Sequence, residues 1–291
     1  MLLLISVGIM KTVYLDNHVL SREEGWAAIR TLLNSKPALR LVVSEWNLVE
    51  LGSHADRDQV CRRAQFVDSL KPLWMVAYIF LQRLEVKKFI WQDYYGVPGE
   101  PVHPFKENLS EVLYFSLGRN VPLGFTATKW VKVVRDPATA LAAEKAQGVD
   151  ALATLQAADA KEKKNAALKI FPLWIAHRIP DLDPSNKAIL RSDKDKIVDF
   201  CYNNKAKLFS NCPAVAVEWA AHEIRTCDPH RKPKESDVID LFHKVMALPY
   251  CDFFVTCDGF VRNCATYVGR KLPSLRLAKI HKSINNLAGV F

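Results

Sequence analysis

Apolar positions along the chain follow two rhythms: short unbroken runs, and stripes spaced at three and four residues. Lys11 to Leu15 is a short apolar run that reads as a buried strand. Asp16-Asn17-His18 follows, and Ser21-Arg22-Glu23-Glu24 then supplies an N-cap with acids in the first helical turn. Trp26, Ile29, Leu32 and Leu33 give this helix an apolar stripe, and Pro37 closes it. Leu39 to Val43 is a second strand-like run, and Trp46 to Leu51 opens another helix. A third helix is predicted from Asp58 to about Leu81, capped by Asp56 or Asp58, with Val60, Ala64, Val67 and Leu70 apolar. Strands alternating with helices through short loops predict an α/β fold with a central parallel sheet covered by helices.

The rhythm breaks after residue 81. Gln92 to Pro104 mixes prolines and glycines with aromatic residues, which is loop chemistry. Asp136 to Ile170 is rich in Ala, Lys and Glu and predicts long exposed helix, and Pro172 to Pro184 is a second proline-punctuated stretch. Residues 82–190 therefore read as a mostly helical insertion between an N-terminal half, 10–81, and a C-terminal half, 191–291. In the latter, Pro213 to Thr226 is an amphipathic helix. Ser236-Asp237 opens another, which Pro249 ends. Asp252 to Thr256 reads as a strand and Phe260 to about Val268 as a helix. No internal repeat is present.

Composition changes this picture little; charge changes it more. Hydrophobic residues make up 49% and charged residues 24% of the 291, an ordinary globular balance that excludes disordered and low-complexity classes. The formal net charge is +9. No acid occurs from Gly259 to Phe291, whereas Arg262, Arg270, Lys271, Arg276, Lys279 and Lys282 all lie there. A near-neutral body with a cationic tail suggests an anionic partner. The seven cysteines include no C-x-x-C pair, so reduced thiols in a cytoplasmic protein are the simplest reading. Met1 to Met10 is apolar but has no charged leading region and is too short to span a bilayer. Met10 begins a natural first strand, so Met1 to Ile9 reads as an upstream extension or a start-site artefact.

In open parallel sheets, ligands bind at the carboxyl ends of the strands. Asp16 directly follows the first strand, Glu45 and Glu50 follow the second, and Asp258 follows the last. Asp237 and Asp240 lie one helical turn apart, with His243 one turn further. Each acid alone is explained by capping or solvation. Converging carboxylates repel by roughly 4 kcal/mol per pair at about 4 Å, and a hard divalent cation, Mg²⁺ or Mn²⁺, removes that cost.

"VYLDNHVLS", "VVSEWNLVEL" and "DVIDLFHKVMALPYCDFFVTCDGF" resemble, in that order, the PIN-like nuclease family. The resemblance covers roughly 10–75 and 190–275. It implies an α/β/α sandwich and a metal-dependent endoribonuclease with a two-metal carboxylate site built from Asp16, Glu50, Asp240 and Asp258. Glu45 competes with Glu50, and Asp237 and Asp252 are alternate ligands. Thr256, Arg262, Arg270 and Lys271 are the expected substrate contacts, although strand packing is the commoner role for a threonine such as Thr256. RNA is the expected partner and DNA the weaker alternative. A non-catalytic RNA- or protein-binding module is the runner-up, with an inhibitory protein partner and oligomerisation left open. Trp91, Tyr94, Tyr95 and Phe105 are available to stack on bases, but packing within a loop is the commoner use of such aromatics.

Other chemistries fit less well. His54 with Asp56 and Asp58 reads as helix capping, His222-Glu223 lacks a second His at helical spacing, and no phosphate-binding glycine loop exists. A haloacid-dehalogenase-like phosphatase needs D-x-D after the first strand, and His18 stands at the second position.

Overall fold

A computed structural model describes residues 10–117, 121–134, 142, 146, 169–179, 193–227 and 237–290. Its centre is a six-stranded sheet formed by β1 (Lys11–Leu15), β2 (Leu39–Ser44), β3 (Leu73–Met75), β4 (Phe105–Lys106), β5 (Phe253–Val255) and β6 (Lys279–His281). The spatial order is β4-β3-β2-β1-β5-β6, parallel throughout except for the antiparallel edge strand β4. The α/β class and the dominantly parallel sheet are as the sequence predicts.

Alternation along the strands sends side chains to two cores. Val13, Leu15, Leu41, Val43 and Val255 face one layer, which contains α2 (Trp26–Ser35), α3 (Glu45–Gly52), α4 (Arg57–Ser69), α6 (Leu109–Leu117), α7 (Ala127–Val133) and α13 (Ile284–Ala288). Tyr14, Val42, Met75 and Phe254 face the other, covered by α5 (Tyr78–Phe89), α10 (Pro213–Cys227), α11 (Asp237–Tyr250) and α12 (Gly259–Lys271). The short helix α1 (Asn17–Leu20) follows β1 directly. A third core of Val86, Phe89, Phe171, Ile175, Ile197, Leu208 and Trp219 joins α5 and α10 to α8 (Lys194–Asn203), α9 (Lys205–Asn211) and the helical segment 169–176.

The helix predicted from Asp58 to Leu81 is instead three elements. α4 ends at Ser69, Lys71 takes a left-handed backbone (φ 47°), and Pro72 cannot donate to a helical ladder. Leu73, Trp74 and Met75 then form β3, and α5 begins at Tyr78. The loop predicted from Gln92 starts later, because α5 continues as a π-helical turn over Ile90–Tyr94. Of the segment 82–190, β4 extends the sheet and α6 and α7 pack on the first core. Asp68 ties α7 down: its carboxylate accepts from the Ala127 N–H at 2.8 Å and the Thr128 N–H at 3.0 Å. The alanine-rich helix expected over Asp136 to Ile170 lies almost wholly outside the described residues. Among the described residues, no helix is long and apolar enough to cross a membrane.

Candidate active site

The strand order places β1 beside both β2 and β5, so the chain reverses its winding direction at β1, and in open α/β sheets the crevice for ligands lies at the carboxyl ends of the strands at such a point, here β1 and β5. Asp16 and Asp258 stand at those two ends. The Asp16 N–H donates to the Val255 carbonyl at 3.0 Å, which fixes the turn out of β1 against β5. The turn out of β5 is organised by Thr256, whose hydroxyl donates to Asp16 Oδ2 at 2.5 Å and accepts from the Asp258 N–H at 3.0 Å. Asp258 also caps α12 through Oδ1, which accepts from the Phe260 N–H at 2.8 Å.

Glu50 and Asp240 enter from helices on opposite faces of the sheet. Ser44 and Asn47 form a capping box at the start of α3, which sets the helix directly after β2 and carries Glu50 towards the crevice. There Glu50 Oε2 lies 2.8 Å from His243 Nε2 on α11. His243 Nδ1 lies 2.5 Å from the Tyr14 hydroxyl, which is 2.7 Å from Ser44 Oγ. Ser44 Oγ also lies 3.1 Å from Asn47 Oδ1, so Tyr14, Ser44, Asn47, His243 and Glu50 form one continuous buried hydrogen-bonded chain. His243 is held between the Tyr14 hydroxyl and the Glu50 carboxylate. Burial alone would lower its pKa, but Glu50, Asp16 and Asp240 together raise it.

Electrostatics tie the four acids together. Burial pushes Asp16 up, but His18 at 3.7 Å, His243 and the Thr256 hydroxyl bring it down to about 2. Asp240 is raised, first by burial and then by Asp258 and Asp16, against the opposing pull of Lys244 and His243. The side chains of Asp16, Glu50 and Asp258 remain 21%, 23% and 30% exposed, so the crevice is open to solvent on one side.

Not every residue singled out in the sequence reaches this place. Asp252 lies at the amino end of β5, at the opposite edge of the sheet. It accepts from the Thr12 N–H at 2.9 Å and pairs with Lys11 and Arg276, so it is a structural anchor and not a ligand at the crevice. Thr256, expected as a substrate contact, is instead fully enclosed and spends its hydroxyl on the Asp16 carboxylate and the Asp258 backbone N–H. Arg262 is exposed one turn beyond Asp258. Arg270 and Lys271 sit at the far end of α12, about 18 Å along the helix axis from its start, and Lys271 is paired with Glu223 at 2.8 Å. Asp237 begins α11, but its side chain lies outside the described residues. Asp56 caps α4 through the N–H groups of Asp58 and Gln59, as predicted. Tyr94 and Tyr95 pack on each other and Tyr94 on Phe200, so both are engaged in ring packing.

The oxygen donors here suit a hard divalent cation, and Asp258 Oδ2 is enclosed without a hydrogen-bond donor. As the side chains stand, no three His, Cys, Asp or Glu among the described residues converge as a metal-holding group. Two basic side chains of the chain itself, His243 and Lys244, stand among the acids, with Lys244 Nζ 3.3 Å from Asp258 Oδ2. The role of this pair was not legible beforehand, because a lysine in an amphipathic helix ordinarily faces solvent. Comparison of the chain with protein-family models, with curated proteins and with solved structures finds no match.

Proposed function

We propose that the protein is a divalent-cation-dependent endoribonuclease with a PIN-like α/β/α fold. The observation that carries this reading is that Asp16 and Asp258 follow β1 and β5 at the switch point, with Glu50 and Asp240 close enough to share the electrostatic field of His243 with Asp16. Carboxylates gathered there repel one another unless cations are present, and their open side admits a polymer. Asp16, Glu50, Asp240 and Asp258 would hold Mg²⁺ or Mn²⁺, which when bound supplies Lewis-acid polarisation and a water of lowered pKa. Thr256 ties the Asp16 carboxylate to the backbone N–H of Asp258. The exposed guanidinium of Arg262 is placed to meet a phosphate of the strand beside Asp258.

Replacing Asp16 with Asn tests this. The wild type is expected to cut single-stranded RNA with Mn²⁺ present. The variant should lose more than the roughly 10–100-fold typical of removing an outer partner of a metal ligand. Equal rates would overturn the proposal, and a parallel DNA panel separates the two substrates. A non-catalytic binding module is the second reading, favoured by the neutralisation of the acids through His243 and Lys244. Retention of labelled RNA without cleavage at any Mn²⁺ concentration would select it.

A further inference from the structure

Three helices bring side-chain stripes together at a second place, at the opposite end of α12 from Asp258. Ala216, Trp219, Ala220 and Glu223 recur at three- and four-residue steps on α10. Lys205 and Phe209 do so on α9, and Val268 and Lys271 on α12. Where the stripes meet, with Leu272 just beyond α12, they line a half-open cavity of about 330 Å³. Its surface is mostly carbon, and the charged groups at it are Lys205, Glu223 and Lys271. A dry apolar cavity of roughly 150 Å³ accepts one benzene ring, so this one has room for a fused pair.

The three charges are not balanced alike. Glu223 is fully engaged: Oε2 accepts from the Lys271 ammonium at 2.8 Å and the Tyr267 hydroxyl at 2.9 Å, and Oε1 from the Trp219 indole N–H at 3.3 Å. Lys205 Nζ instead lies over ring faces, 4.2 Å from the centroid of Trp219 and 4.5 Å from that of Phe171. Among the described residues, no carboxylate pairs with it at ion-pair distance. Ring faces attract an ammonium but are poor acceptors for its N–H groups. Burial also lowers the Lys205 pKa, against the pull of Glu223. An anion seated beside Nζ would restore what burial has taken away. With two ammonium groups to one carboxylate, the cavity selects an acid over a base or a neutral oil.

We propose that this cavity binds a small amphipathic acid, an aryl or alkyl carboxylate, with its apolar body against Trp219 and Phe209 and its carboxylate on Lys205.

Calorimetric titration of the full chain with naphthoate, and with naphthylmethanol as its uncharged counterpart, tests this. The wild type should bind naphthoate at least about tenfold more tightly than the alcohol, the margin of one charge-assisted hydrogen bond. Lys205→Met should level the two affinities, and Lys205→Arg should keep the preference for the acid. Leu272→Trp, which fills the cavity from its half-buried edge, should abolish binding of both. No saturable uptake of naphthoate by the wild type overturns the inference, as does equal affinity for the alcohol. So does an undiminished preference in Lys205→Met, or unchanged binding in a folded Leu272→Trp. If Lys205→Met does not fold, the wild-type preference and Leu272→Trp decide.

Discussion

His243 of α11 meets Glu50 of α3 at 2.8 Å, linking helices from opposite faces of the sheet. Its other nitrogen, Nδ1, lies 2.5 Å from the Tyr14 hydroxyl, so one buried hydroxyl anchors the whole bridge. Tyr14→Phe deletes that hydroxyl and strips a partner from both His243 and Ser44. An unsatisfied buried polar group costs about 1–3 kcal/mol. Urea denaturation of this variant should show a loss in that range with an unchanged m-value.

Glu85 provides a pH signature. Its Oε1 accepts from the Tyr250 hydroxyl and, at 2.8 Å, from the Ala214 N–H, while Oε2 accepts from the Val215 N–H at 3.1 Å. The carboxyl therefore caps α10. Burial outweighs these donors and raises its pKa from 4.5 to about 7. The folded protein binds the extra proton between those values, so the contribution is full below pH 4.5 and lost as the pH rises through about 7. The shift corresponds to about 3 kcal/mol. Unfolding free energies at pH 5 and pH 8 should fall less steeply in Glu85→Gln than in the wild type by an amount of this order.

Arg178 and Glu218 form a buried ion pair in the helical layer. Gln82 accepts from Arg178 Nε at 2.9 Å, and Trp174 stacks under the guanidinium at 3.8 Å. Although Glu218 is buried, His222, Arg178 and Gln82 bring its pKa down to about 2. Arg178→Met strips the buried Glu218 carboxylate of its nearest cation, at a cost of about 3–5 kcal/mol. The double variant Arg178→Met/Glu218→Met should recover much of that loss in thermal unfolding. Equal melting temperatures for the single and double variants would contradict the pairing.

Asp68 belongs to α4 yet caps α7, some 60 residues later, and it also accepts from the Thr128 hydroxyl at 2.6 Å. Asp68→Ala should cost about 1–2 kcal/mol, as for loss of a helix cap. Hydrogen exchange should rise selectively in residues 127–133, with β1 and β5 unaffected.

The central architecture was readable where strands were apolar runs bounded by turn residues. Lys11–Leu15, Leu39–Val43 and Phe253–Val255 are of this kind, and the acids that follow them came with them. β3 was hidden because Leu73-Trp74-Met75 runs on into apolar residues of α5 without polar alternation, so period could not separate strand from helix. β4 and β6, of two and three residues, are held by neighbours and not by local pattern. Asp252 was misplaced because a residue just before a strand and one just after it look alike in sequence, though they emerge at opposite ends of the sheet. Lys244 was invisible for a different reason: its burial is a property of Asp240, Asp258 and Phe260 taken together, and not of its own neighbours in the chain.

The pairing of Val13 with Phe253 makes the central strand wait for its second neighbour. While the chain is being synthesised, β1 acquires β2 early, but the edge from Val13 to Leu15 keeps its N–H and C=O groups open until residue 255 has emerged. Parallel pairing across so long an interval is entropically slow, and an open apolar edge recruits other chains. Nascent or truncated forms ending before β5 are therefore expected to aggregate or to need a chaperone, and the Asp16 carboxylate has no Thr256 to hold it until then. The same delay leaves the β1/β5 switch point, and the acids beside it, unassembled until the last third of the structure has formed.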